Sequence, residues 1–325
     1  MLGYFEDPQV AYVQVAQAYY NQNASFIARG AAEETYGYHS STLMASYGMG
    51  HPIVIGCHNT HRMIALQQVG GFAPHDADDL LIALFYQRRG WQGVYLPQIL
   101  ARGLTPVDWN GYLTQQRRWA RSVFDIKCRL YPKLAGGLSF KDRLLSLLQG
   151  IGYLHGVLVI MTIIQLAFML ITGITPTIFS LYTVLQILIL YGVLQVCNLY
   201  RQKFYIDFRN EWGLHWRAAL LQFAKWPFLV MAMYDVVIGR FVQYVITRKV
   251  RSLSRNFILL WPHALTIVVI SCSWLIGTAY HVLNPLLHIS AIVTIFITLC
   301  LMATGFLSYP EPFDKRILRE NLHRQ

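Results

Sequence analysis

Two short stretches carry residue types that could do chemistry. The first is Gln115-Gln116-Arg117-Arg118-Trp119. On a helix Gln115, Arg118 and Trp119 stand at i, i+3 and i+4 and share one face. Glutamine offers a neutral donor and acceptor, arginine a fixed cationic fork, and tryptophan a flat apolar plate. Together they suit a phosphate-bearing sugar, with arginine against a diphosphate and tryptophan beneath a sugar ring. The same residues equally suit a structural helix whose arginines reach lipid headgroups. The second stretch is Asp76-Ala77-Asp78-Asp79-Leu80-Leu81, shortly after Gly70-Gly71-Phe72. Adjacent carboxylates at a helix start are favoured by the helix dipole; alternatively, one of them is a general base that takes the proton of an attacking hydroxyl. His58 and His61 flank Asn59, but no third metal ligand follows at a suitable spacing. They read as pocket-lining or hydrogen-bonding residues, and His155 and His288, inside apolar blocks, as satisfied bundle residues. Glu6 and Asp7 are adjacent and do not form a DxD pair.

The elements that must position these residues are legible before residue 133. Val10 to Val15 is a valine-rich strand and Gly93 to Leu96 a short one. Asp78 to Arg89 is a helix closed by Gly90, with Leu80, Leu81, Leu84 and Phe85 on one face. Thr105-Pro106-Val107-Asp108 supplies an N-cap hydroxyl, a proline at the first helical position and an acid at the third. That helix is expected to run to about Leu130 and to carry the Gln115–Trp119 stretch.

Beyond residue 133 the chain changes character. It has 325 residues, 55% hydrophobic and only 13% charged, and a mean hydropathy of +0.37; soluble domains carry about a quarter charged residues. Ser139 to Gln149 is an amphipathic lead-in. Leu144 to Tyr200 contains no Asp, Glu, Lys or Arg, room for two spans, 152–172 and 178–199. Asn256 to Pro310 repeats the pattern, with a break near His281–Pro285. Between the hairpins, 217–239 is flanked by basic residues on both sides, which predicts an interfacial or re-entrant helix rather than a fifth span. The net charge of +11 lies largely beside apolar blocks; it suits an anionic leaflet and argues against nucleic acid. Five scattered cysteines exclude a disulfide framework and a zinc site. The opening MLGYFEDPQ has no h-region, which predicts a cytoplasmic start.

Gly56-Cys57-His58-Asn59-Thr60-His61-Arg62, Val69–Phe72, Asp78-Asp79, Arg88–Trp91 and Gln115…Arg118-Trp119 follow one another in an order and spacing similar to the acceptor half of family 2 glycosyltransferases, the group of cellulose, chitin and hyaluronan synthases. Phe5–Pro8 to Asn21 resembles the segment after that family's metal-binding DxD motif, and Tyr244 with Thr247-Arg248-Lys249 resembles its gating loop. The resemblance implies an α/β GT-A-type domain, of which residues 1–133 are the acceptor half. It also implies a membrane domain over 134–325 with interfacial helices and about four spans, in the cell membrane, with the catalytic part cytoplasmic. The implied reaction moves a sugar, with inversion, from a nucleotide-diphosphate donor, a UDP-sugar in the first instance, to a glycan or lipid-linked acceptor. Asp79 takes the place of the family's catalytic base in the T-E-D motif; Asp78 replaces its glutamate and Ala77 its threonine. Gln115, Arg118 and Trp119 hold the donor diphosphate and the acceptor sugar. The divalent ion, Mg or Mn, would bind to residues outside this chain, which implies an N-terminally truncated, inactive piece. The alternative is a non-catalytic subunit or pseudoenzyme. A transporter is disfavoured, because the hairpins hold no ionisable residue except histidine.

Overall fold

The computed structural model describes residues 1–208, 210–240, 256–282 and 284–307. The gating-loop resemblance at Tyr244 and Thr247–Lys249 and the basic tail Lys315–Arg324 lie outside the described residues. Three strands form one sheet: β1 (Val10–Tyr19), β2 (Asn59–His61) and β3 (Gln92–Gly103), in the order β2-β1-β3. β2 pairs antiparallel, with His61 opposite Tyr12, and β3 pairs parallel, with Val94 opposite Val13. β1 is buried on both faces, as a central strand covered by helices should be. Both main strands outrun the expected Val10–Val15 and Gly93–Leu96, because the parallel ladder continues to Tyr19 and Gly103. Gly93 has to be glycine: a Cβ there would stand 2.2 Å from the Tyr12 ring.

Helices α1 (Phe26–Gly37), α2 (Met44–Gly48), α3 (Met63–Gln68) and α4 (Asp78–Arg88) separate the strands. The Ser25 side chain caps α1 by accepting from the Ala28 N–H. α4 ends where predicted, with Gly90 in the left-handed region at φ +77°. After β3 come α5 (Trp109–Asp125), α6 (Tyr131–Leu134) and α7 (Phe140–Leu148). α5 begins later than its sequence predicts. Its cap is Asp108, whose carboxylate accepts from the Gly111 N–H at 2.8 Å. Thr105 is unavailable as a cap because Asn21 holds it extended, pairing with its N–H at 2.9 Å and its carbonyl at 2.8 Å. From Ile126 to Leu130 the helix continues in wide π geometry. α7 is the expected amphipathic helix, capped by Ser139.

The remaining helices are α8 (His155–Thr172), α9 (Leu181–Gln202), α10 (Trp216–Ala224), α11 (Trp226–Val237), α12 (Asn256–Leu259), α13 (Trp261–Ala279) and α14 (Pro285–Leu307). Among the described residues four helical segments are long and apolar enough to cross a membrane: α8, preceded by α7 across a short turn at Gln149-Gly150, then α9, α13 and α14. α8, α13 and α14 pack around Leu166, Leu170, Ile270 and Leu287. α13 approaches α8 so closely that a Cβ on Gly277 would stand 1.9 Å from the Leu170 carbonyl oxygen. Of the 22 residues of α9 only Gln202 is buried. His288 accepts from Trp274 Nε1 at 2.7 Å, as a satisfied bundle residue should. His155 departs from that expectation, since its Nε2 is buried with no hydrogen-bond partner among the described residues.

The 217–239 segment is two helices. α10 and α11 meet at a 45° bend at Lys225, followed by Pro227 in the first turn of α11, where its missing N–H costs no helical bond. α10 lies on α1, where a Cβ on Gly30 would come within 2.9 Å of Leu221. α11 lies on α5 and α8, with Leu229, Ala232 and Val236 packed against Ala120 and Phe124.

Candidate active site

Asp78 and Asp79 occupy the first turn of α4, where backbone N–H groups are unpaired. The Asp79 N–H donates to Asp78 Oδ1 at 2.9 Å, and the Leu80 N–H donates to Asp79 Oδ1 at 2.8 Å. The Gly56 backbone lies against the Asp79 carboxylate and favours its ionised form. A Cβ at position 56 would stand 3.2 Å from Asp79 Oδ2, so any larger residue there would crowd the carboxylate. Burial pushes the Asp79 carboxyl up to about 6 from 3.8, the neighbouring Asp78 charge pushes the same way, and the backbone hydrogen bonds pull back. Tyr38 lies within electrostatic reach of Asp79, as does Tyr153 from the turn before α8.

The loop carrying Gly56 is held from β1. Gln14 is fully buried; its Oε1 accepts from the Ile55 N–H at 2.9 Å and its Nε2 donates to the Val15 and Cys57 carbonyls, both at 2.9 Å. His58 follows in the left-handed region at φ +56°, a strained conformation for a residue with a Cβ, and its Nδ1 is buried without a hydrogen-bond partner among the described residues. His61 is satisfied by Tyr86 at 3.0 Å and Asn59 at 3.1 Å. Burial lowers both histidines, which keeps them neutral at pH 7.

α5 presents different residues to different neighbours. Gln115 is buried, Arg118 is half-buried and Trp119 is 37% exposed. The residues between them turn elsewhere: Gln116 accepts from Lys225 at 3.2 Å and Arg117 pairs with Asp235 at 2.5 Å. Two links then tie α5 to the segment before α4. His75 meets Asp125 at 3.2 Å and Asp76 meets Arg121 at 3.8 Å. His75 and Asp76 thus link the segment before α4 to the C-terminal half of α5, although Asp79 and Gln115 are 36 residues apart in the chain. Sequence reasoning missed the close approach of Gly56 to Asp79, the clamp by Gln14, and Tyr38 and Tyr153, which contacts far apart in the chain bring about. Among the described residues no three His, Cys, Asp or Glu side chains converge as a metal site.

An α/β sheet, an acidic helix start and an arginine- and tryptophan-bearing helix, followed by long apolar helices, together point to a class of membrane-associated transferase folds. Residues 2–197 match the model of glycosyl transferase family group 2, and the chain belongs to that family. It is similar to the cellulose synthase catalytic subunit [UDP-forming] of Xanthomonas axonopodis pv. citri, with 36% identity over 94 residues, 29% of this chain and 13% of that protein. Over 84 residues, 26% of this chain, it is 38% identical to putative cellulose synthase 2 of Komagataeibacter xylinus, covering 6% of it. It is 37% identical over the same length to cellulose synthase 1 catalytic subunit of that organism, covering 11%. The chain therefore matches only a small part of the length of these relatives.

Proposed function

We propose that this chain carries the acceptor side of an inverting glycosyltransferase embedded in the cell membrane, with Asp79 as the base. The observation that carries this reading is the Asp79 carboxylate itself: half-buried, held by the Leu80 N–H beside the Gly56 backbone, and raised by desolvation to about 6. Such a group is still largely ionised at pH 7 and is a stronger base than an ordinary carboxylate. In the reaction the acceptor hydroxyl oxygen forms a bond to the anomeric carbon as its proton passes to Asp79. The bond from that carbon to the diphosphate breaks on the opposite side, and its electron pair leaves with the nucleoside diphosphate. The Arg118 fork suits that diphosphate and Gln115 an adjacent sugar hydroxyl, while Trp119, exposed at the edge of α5, suits the face of the acceptor sugar. A UDP-sugar donor and a glycan or lipid-linked acceptor fit this arrangement. Any Mg or Mn ion is left to residues other than those described. The short, uncharged turns of the two hairpins favour a topology in which the α/β part faces the cytoplasm.

The experiment is Asp79→Asn in the full-length enzyme. Turnover should fall by about 10²–10⁴-fold, the usual worth of a general base, with donor binding unchanged, while Asp78→Asn loses far less. Near wild-type turnover in Asp79→Asn, with the loss in Asp78→Asn, would reverse the assignment.

A further inference from the structure

The bend between α10 and α11 holds a buried charge that the reaction does not use. Lys225 is 4% exposed. Its Nζ donates to the Glu34 carboxylate on α1 and to Gln116 Oε1 on α5. Glu34 also accepts from the Tyr112 hydroxyl at 2.6 Å and from Gln222 Nε2 at 2.9 Å, so one carboxylate joins α1, α5, α10 and the bend. The far end of α11 is tied to the same partner helix. Arg117 pairs with Asp235, Arg129 donates to the Val236 carbonyl at 2.9 Å, and Arg121 donates to the Arg240 carbonyl at 3.3 Å. Between these ties Ala120 and Phe124 pack on Leu229, Ala232 and Val236. α11 therefore lies along α5 as a splint fixed at both ends.

Stability alone does not account for the Glu34–Lys225 pair, because buried ion pairs are commonly matched or bettered by apolar residues of similar volume. Geometry does. Gln116 and Arg117, which meet the splint, sit in the same rigid turn as Gln115, Arg118 and Trp119. On a helix about 10–12 Å across, a rotation of about 10° moves a side-chain tip by about 1 Å. A misplacement of about 1 Å can cost about 10²-fold in rate. We infer that Glu34 and Lys225 are positioning residues: their pair at the α10–α11 bend sets the rotation of α5 and hence the placement of Gln115, Arg118 and Trp119. The inference rests on the glycosyltransferase reading above for its effect on rate, and on the structure alone for its effect on α5.

The test uses the full-length enzyme in lipid nanodiscs and reads two quantities, sugar transfer and hydrogen exchange of the α5 amides. Lys225→Met and Glu34→Gln should each speed exchange across α5 and lower kcat, both by about tenfold or more, because each leaves the other member of the pair without its counter-charge away from bulk water. The double variant, with neither charge, should recover most of both, and Lys225→Arg should stay near wild type. Leu170→Ala, in the α8–α13–α14 contact, controls for general destabilisation and should leave α5 exchange unchanged. Single variants with wild-type exchange and wild-type kcat overturn the inference. So does a loss of kcat with α5 exchange unchanged and no recovery in the double variant. If exchange responds as expected but even the wild-type protein transfers no sugar, the positioning of α5 stands and the glycosyltransferase reading fails.

Discussion

Replacing Asp79 by asparagine should make the protein more stable at neutral pH while removing its activity. The carboxyl is raised from 3.8 to about 6 chiefly by burial. Its ionised form is therefore worse off in the folded state than in the unfolded chain. The native state holds the proton to higher pH, so the stabilising contribution of the protonated group is complete below about pH 4 and is lost as pH rises through about 6. A shift of roughly two units corresponds to about 3 kcal/mol of destabilisation at pH 7 and above. Asparagine is close in shape, still accepts from the Leu80 N–H, and carries no charge. Asp79→Asn should thus gain about 2–3 kcal/mol over wild type at pH 7.5 and almost nothing at pH 4. Thermal unfolding of both proteins in detergent at the two pH values reads the difference directly. A variant equally or less stable at pH 7.5, or a gain of the same size at both, refutes the claim that burial strains this carboxylate.

Transfer by the full-length enzyme should fall about tenfold per unit as the pH drops below about 6, since only ionised Asp79 accepts a proton; a flat profile between pH 4.5 and 7 removes Asp79 as the base. Gly56→Ala places a methyl 3.2 Å from the Asp79 carboxylate and should lower kcat by about tenfold or more, with donor affinity kept; calorimetry on the same sample separates the two. Trp119→Ala should raise the acceptor KM far more than the donor Kd, whereas equal losses accompanied by a lowered Tm would make Trp119 a core residue. Single cysteines replacing Trp212 and Arg240, in a cysteine-free background, should both react only from the cytoplasmic side. Labelling from opposite sides would make the bent α10–α11 pair a fifth span.

Much of this architecture could be read from residue pattern. The four apolar helices follow from two uncharged blocks, and α4 from a leucine face between Asp78 and Gly90. α7 follows from a serine cap before an amphipathic run. The start of α5 misled because Thr105-Pro106 has the chemistry of a helix cap, while the group that decides its conformation is Asn21, 84 residues away. The single apolar segment at 217–239 concealed a break, since nothing local shows that Lys225 is held in place by Glu34 from α1. At the site, the reactive residue types were visible and their environment was not. Asp78 and Asp79 are alike as residue types and both half-buried; resemblance alone told them apart in sequence, and in the structure the approach of Gly56, in a loop held by Gln14, crowds Asp79. Long-range contacts of this kind leave no periodicity to detect.

The stretch from Gln115 to Arg121 has no idle position. Gln115, Arg118 and Trp119 are the proposed substrate contacts, Gln116 meets Lys225, Arg117 meets Asp235, Ala120 is fully buried against α11, and Arg121 reaches both Asp76 and the Arg240 carbonyl. Every substitution there disturbs a separate neighbour. α9 stands at the other extreme, with a single buried residue in 22; apolarity is nearly all that a lipid-facing helix requires of its side chains. Neutral drift will therefore collect in α9 and be barred from α5, and two descendants of this chain will diverge first along the helix that touches the least protein.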